Sequence, residues 1–320
     1  MVHFKMNTRL KSLFRWPLFF ISILFPLVGH TSGCHGGGGS QTLVLLPTQY
    51  YQFGISTSYQ FMKGSFDSYG FYNPTPSHSS LSSMTMALGA GMRFLEFWQG
   101  AFSLPMIHRN QTTPQKNYSA TALGDPVLEI RHTFLEDVGF LPYQPELNFY
   151  GGVKLPLGTS VYTSSDPSEI DVVGDGMTTV HTGFNTAKLY RPFKFSLDGS
   201  FFYPFQKKVT QIRNVSLETP YVLKSGNRMQ LIENISFLLN NHWNSALGIK
   251  ELWILKSKKD KTIVEGSAGR LFSTTASLSY AYDVSWNVGM SYETAFPFYR
   301  YAVNQPHSHS FSVALNYGIF

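Results

Sequence analysis

Charge is scarce in this chain, and that scarcity narrows the fold. Asp, Glu, Lys and Arg make up 14% of 320 residues, against roughly 25% in an ordinary soluble domain. Long apolar runs are missing too. The longest, over residues 16–28, contains two prolines and a serine, and a membrane helix needs about 20 apolar residues. Cysteine occurs once, at Cys34, so no internal disulfide can form. A basic helix, zinc-ligand spacing and an aromatic RNA-binding motif are all lacking, which argues against a nucleic-acid partner. The G-x-S-x-G elbow of an α/β hydrolase is lacking as well.

Aromatic residues, in contrast, reach 16%, and mean hydropathy is −0.09. A wall that alternates apolar and polar residues averages to that value. The alternation is explicit at the end of the chain. Phe311, Val313, Leu315, Tyr317 and Ile319 alternate with Ser310, Ser312, Ala314, Asn316 and Gly318, and Phe320 is last. Period two places one set on each face of a β-strand. The same pattern recurs from Tyr51 to Phe61, Ser83 to Phe94, Leu147 to Leu155, Phe193 to Tyr203, Phe272 to Tyr280 and Val288 to Thr294. Weaker runs lie at 99–108, 124–134, 178–189, 228–238 and 246–255. In the fourth of these, Glu233 falls in phase with Met229, Leu231, Ile235 and Phe237. A charge facing lipid is costly there, and a bulge or interfacial depth would relieve it.

These runs predict an all-β fold, a transmembrane antiparallel barrel of about 12 strands, each near the ten residues that a tilted strand needs to cross a bilayer. The stretches 62–82, 109–123, 156–177, 204–227, 256–271 and 295–310 become long loops. Those at 95–98, 135–146, 190–192, 239–245 and 281–287 become short turns. Strict alternation of long and short suits a barrel with long outer loops and tight periplasmic turns, and both termini then face the periplasm. Trp98, Tyr143, Tyr190, Trp243, Trp253, Tyr282, Trp286, Phe296 and Phe298 sit at strand ends, where interfacial aromatic girdles belong.

The amino terminus reads as a secretory signal over 1–33. Lys5, Arg9, Lys11 and Arg15 precede the apolar stretch, and Thr31, Ser32 and Gly33 follow it. Translation starting at Met6 fits the long basic region. Without those four charges the formal +6 becomes +2. Cys34 after Thr31-Ser32-Gly33 resembles a lipobox, although Thr31 stands where Leu is usual, and ordinary cleavage is the competing reading. Residues 34–47 form a Gly-rich periplasmic linker, and 48–320 the barrel. The expected location is the bacterial outer membrane. A C-terminal aromatic strand is also what the barrel-assembly machinery would engage: Phe311, Val313, Leu315, Tyr317 and Phe320 form the barrel-closing set, with Phe320 on the opposite parity from Tyr317.

Charges on the polar strand faces are candidate lumen residues: Arg93, Asp125, Glu129, Arg131, Lys154, Lys194, Asp198, Arg228 and Glu293. They either line a conduit and orient a solute or pair across the lumen and hold the wall together. Lys256, Lys258, Lys259 and Lys261 form a basic loop. It either attracts phosphates of lipopolysaccharide or is simply solvated. His307 and His309 have no third ligand in view, so no metal is expected. His78-Ser79, His307-Ser308 and His309-Ser310 are the only His-Ser neighbours, all in expected loops, and a serine-rich chain pairs them by chance.

Two stretches carry a family resemblance. One is Leu123-Gly124-Asp125-Pro126-Val127-Leu128-Glu129-Ile130-Arg131. The other is Phe149-Tyr150-Gly151-Gly152-Val153-Lys154-Leu155-Pro156-Leu157-Gly158-Thr159. A Gly-Asp that opens a strand, with a G-x-K-x-P-x-G strand exit and an acidic loop, resembles a family of outer-membrane transporters named for a phenol meta-cleavage pathway. The resemblance implies a barrel and uptake of small hydrophobic or aromatic compounds, without a cofactor. The competing functions are a non-transporting structural or adhesive barrel and an outer-membrane lipid-modifying enzyme. The partners expected are outer-membrane lipid, lipopolysaccharide, the assembly machinery and a small apolar solute.

Overall fold

A computed structural model describes residues 45, 48–137, 143–212, 215–296 and 302–320. The proposed signal, Cys34 and Phe298 lie outside them. Twelve strands form the wall: β1 (Tyr51–Phe66), β2 (Ser80–Leu95), β3 (Trp98–Thr112), β4 (Val127–Leu135), β5 (Glu146–Lys154), β6 (Thr179–Tyr190), β7 (Phe193–Pro204), β8 (Arg228–Leu238), β9 (Trp243–Ile254), β10 (Gly269–Ala281), β11 (Trp286–Ala295) and β12 (Gln305–Ile319). Each pairs antiparallel with the strand before and after it, and β12 pairs with β1 from Tyr51↔Ile319 to Phe66↔Gln305. The sheet is a closed up-and-down barrel, so it has no open edge. No helix among the described residues is long and apolar enough to cross a membrane.

The alternation dictates the faces. Along β12 the apolar set Phe311, Val313, Leu315, Tyr317 and Ile319 is exposed, while its neighbours are partly covered. Burial is therefore inverted relative to a soluble sandwich: large apolar groups are outside and polar groups inside. Asn148, His181, Asn185, Ser273 and Ser279 are all buried. Trp98 stacks on His132 at 4.5 Å, Trp243 lies 4.7 Å from Tyr280, and Trp286 lies 4.6 Å from Tyr317. Each of these tryptophans opens a strand at the short-turn end, which makes an aromatic girdle there. Phe320 lies past the end of β12, so its parity has no bearing on the ladder.

Some expectations are revised. β1 and β2 each run 16 residues, so the wall extends beyond a bilayer core at the long-loop end. His307 to Ser310 lie within β12, not in a loop. Asp125 precedes β4 instead of sitting on it. β8 keeps unbroken register with both neighbours, so no bulge turns Glu233 away, and Glu233 is exposed on the outward set. Two long connections also pair with each other. Residues Lys207–Ile212, Val215–Lys224, Lys258–Lys259 and Thr262–Ile263 form a separate four-stranded sheet.

Candidate functional site

The inner face of the barrel has two unlike halves. From β4 to β8, cross-strand register stacks large and charged groups. Glu129, Gly152, His181, Phe202 and Arg228 share one row. Arg131, Tyr150, Gly183, Ser200 and Gln230 share the next. The charged groups of these rows pair with one another and with their neighbours. Glu129 Oε1 accepts from Arg131 Nη2 at 3.1 Å, and His181 Nε2 lies 3.2 Å from Glu129 Oε2. The Arg131 guanidinium lies over the Tyr150 ring, and Tyr150 donates its hydroxyl to Asp198 Oδ1 at 2.9 Å. Farther round, Lys250 Nζ donates to Glu293 Oε1 at 2.8 Å, as does Ser273 Oγ at 2.9 Å.

The glycines in this half are close approaches. A Cβ on Gly152 would lie 2.5 Å from the His181 ring, and one on Gly183 would lie 2.5 Å from the Tyr150 ring. Only glycine admits those rings into the wall.

The other half, from β10 through β12 and β1 to β2, has two adjacent rows of small groups, with Glu293, Gln60 and Arg93 inward at other levels. Ser279, Gly289, Ala314, Ser56 and Ala87 form one inward row. Ser277, Ser291, Ser312, Ser58 and Thr85 form the next. A Cβ added at Gly289 would meet nothing within 4 Å. Among the described residues, large paired groups line one wall of the lumen and small groups line these rows of the other.

At the long-loop end, residues 155–178 fold over the packed wall. Asp125 anchors them: its Oδ1 accepts from the Gly158 N–H at 2.9 Å and its Oδ2 from the Asp175 N–H at 3.1 Å. Thus the two stretches that carry the family resemblance meet in space, Gly-Asp against Pro-x-Gly. Lys154 lies 3.7 Å from Asp125 and bonds Asp175, which also accepts from Arg228 Nη2 at 3.0 Å. A loop that leaves β5 is thereby pinned to β8. Its interior is ordered by Ser164, which is fully buried and donates to Asp171 Oδ1 at 2.5 Å, and by buried Ile170 and Met177. Burial pushes the Asp175 carboxyl up, but the Lys154 and Arg228 charges outweigh it and hold it below its ordinary value.

At the short-turn end the segment before β1 enters the mouth. The Leu45 N–H donates to Gln99 Oε1 at 3.1 Å, and Gln99 Nε2 donates back to the Leu45 carbonyl at 3.3 Å. Arg93 Nε donates to the Gln49 carbonyl at 3.2 Å. Of the nine candidate lumen charges, then, Asp125, Lys154 and Arg228 belong to the loop clamp. Glu129, Arg131 and Asp198 belong to the packed wall, Glu293 lies inward on β11 and pairs with Lys250 of β9, and Arg93 holds the entering segment. Lys194 lies inward on β7 near Ser236 and makes no ion pair with a described residue. His181, Tyr150, Asp175 and Lys250 complete the networks. His181 and Lys250 lie on the weaker sequence runs, and Asp175 lies in a loop, so periodicity alone could not single these three out.

His307 and His309 face outward among rings instead of toward a metal. His309 stacks on Phe61 at 5.0 Å and its Nδ1 lies 2.5 Å from the Tyr292 hydroxyl, while His307 meets Tyr72 edge-on at 5.3 Å.

No family model matches the sequence, and no curated protein matches it. The fold does match. It superimposes on the crystal structure of an outer-membrane channel from Pseudomonas putida F1 with a TM-score of 0.69 at 11% identity, over 86% of this chain and 97% of that one. Looser likenesses, which carry no argument, include the translocator domain of the autotransporter NalP from Neisseria meningitidis, at TM-score 0.45 and 13% identity over 84% and 88%. Another is the monoaromatic hydrocarbon channel CymD, at 0.41 and 9% over 85% and 89%. The chain has the fold of an outer-membrane β-barrel channel.

Proposed function

We propose that this chain is an outer-membrane channel for small hydrophobic or aromatic compounds, akin to the transporter family of the phenol meta-cleavage pathway. The observation that carries the reading is the divided lumen. Twelve strands enclose more space than eight, whose interior side chains fill, and less than the sixteen of an aqueous porin. Filling one wall with paired charges leaves a narrow strip along Ser56, Ala87, Gly289 and Ala314. That strip carries hydroxyls and small apolar groups but no charge. An uncharged ring with one hydroxyl loses little hydration there, whereas an ion finds no counter-charge. Passage down a gradient needs no catalytic group and no cofactor. In this reading the long loops face outward and both termini the periplasm.

Solute entry into liposomes that carry the refolded mature chain tests it. Phenol or an alkyl-aromatic compound enters faster than in protein-free liposomes, a small sugar does not, and Gly289→Trp slows the aromatic. Equal rates with and without a correctly folded barrel refute channel function and move loop-borne adhesion to the front.

A further inference from the structure

The small sheet at the long-loop end is a separate feature with its own chemistry. Two loops far apart in sequence make it: Leu223 pairs with Lys259 and Lys224 with Lys258. Residues 207–224 and 255–268 together hold eight basic and three acidic residues, while the chain without its signal is close to neutral. The basic groups are thus concentrated here, not spread over the surface.

Their arrangement is not that of a salt-bridged face. Lys208, Lys258, Lys259 and Lys261 are exposed. None of these four forms an ion pair with a described residue; Lys256, beside them, pairs with Glu265 at 2.7 Å. Lys224 and Lys258 lie directly opposite each other in the ladder, a like-charge arrangement that costs stability unless an anion sits between them. Lys208 shares their face, because it pairs with Val222, two residues from Lys224. Aromatic rings fix the stems: Lys259 lies 4.2 Å over Tyr221, Lys224 4.7 Å over Tyr203 and Lys207 5.2 Å over Tyr162. The pairing between two loops brings these lysines together, Lys208, Lys224 and Lys258 on one face of the small sheet and Lys259, opposite Leu223, on the other.

We infer that this sheet binds the phosphate groups of lipopolysaccharide packed around the barrel. The inference rests on the proposed orientation, which puts the long-loop end in the leaflet where that lipid resides. Several neighbouring ammonium groups can each meet a phosphate oxygen, and the attraction adds across sites and weakens with salt.

Deep-rough lipopolysaccharide titrated calorimetrically into the refolded chain in detergent micelles tests this. Replacing Lys208, Lys258, Lys259 and Lys261 together by Gln weakens binding tenfold or more, and replacing all four by Arg preserves it. Raising salt to 0.5 M weakens wild-type binding by a similar factor, and phosphate-stripped lipopolysaccharide binds equally poorly. Lys63→Gln on β1 with Lys116→Gln on another loop changes little. The heat-modifiable shift in gel mobility shows that each variant is folded. Unchanged affinity in the Gln variant, or equal affinity for the phosphate-stripped lipid or inorganic phosphate alone, overturns the inference. Micelle binding needs neither orientation nor flux. Tight binding without solute entry therefore defeats the channel reading alone, and entry without binding defeats only this one.

Discussion

Replacing Asp125 by Asn tests whether one carboxylate holds the long loop over the lumen. The Asp125 side chain is almost wholly buried, and it accepts the N–H groups of Gly158 and Asp175 at 2.9 and 3.1 Å. Asparagine keeps the shape but offers one acceptor oxygen. Its NH2 group then faces an N–H donor, and Lys154 loses a counter-charge at 3.7 Å. A hydrogen bond to a charged group contributes about 1.5–3 kcal/mol, and stranding a buried partner costs a further 1–3. A net loss of about 3 kcal/mol raises the open-loop population on the order of 100-fold. Residues 155–178 contain Glu169 as their only glutamate and no lysine or arginine, so a glutamyl-specific protease reports on this loop selectively. When closing is fast, cleavage follows the open population. The expected outcome is cleavage after Glu169 about 100-fold faster in the variant, with the barrel still heat-modifiable. A rate within a few-fold of wild type would show that Asp125 does not hold the loop and that Ser164, Ile170 and Met177 close it unaided.

Three further outcomes follow from the same geometry. Gly152→Ala places a methyl 2.5 Å from the His181 ring and destabilises the barrel by about 1–3 kcal/mol, whereas Gly289→Ala meets nothing and leaves the unfolding midpoint unchanged or higher; denaturant titration of the heat-modifiable band separates them. Glu129→Ala leaves Arg131 and His181 without their carboxylate and costs about 3 kcal/mol, with aromatic entry little altered; reduced entry at unchanged stability would make Glu129 a conduit residue instead. Acidification loosens the loop in a defined window. Burial raises the Asp175 pKa, but Lys154 and Arg228 hold it below 3.8, so its contribution is present above that value and lost as pH falls through the folded pKa. Hydrogen exchange of the Gly158 and Asp175 amides, corrected for intrinsic rate, is expected to hold steady down to about pH 5 and rise below the ordinary carboxylate range.

Strand number, order and the long-short loop alternation were legible because a barrel wall imposes period two over its whole length, and twelve runs showed it. The barrel's long strands were underestimated because the stretch beyond the bilayer contacts water on both faces and loses its alternation, as at His307 and Ser308. The site was legible only in part. The inward charges could be named from parity, but parity gives the side of the wall, not the partner. Arg131 meets Glu129 on its own strand, Asp198 meets Tyr150 two strands away, and Asp175 acts from a loop. Only register, which depends on turn lengths and on bulges such as that between Thr133 and Leu135, decides such pairs.

The two halves of the lumen explain each other. An open twelve-stranded barrel lined evenly with unpaired charges would hold water and pass ions. Pairing Glu129 with Arg131 and His181, and Asp198 with Tyr150, removes the need to hydrate those groups and lets them pack against one another. That packing requires glycine where the rings pass, at Gly152 and Gly183. The filled wall narrows the bore, and the remaining strip needs only small side chains to stay open. Enlarging one member of the strip should therefore obstruct passage without strain, while removing one member of the charged wall should weaken the barrel without clearing the passage. The contrast between Gly289→Trp and Glu129→Ala separates these effects. If Gly289→Trp leaves aromatic entry unchanged while Glu129→Ala abolishes it, the passage runs along the charged wall, and the assignment of the two halves is reversed.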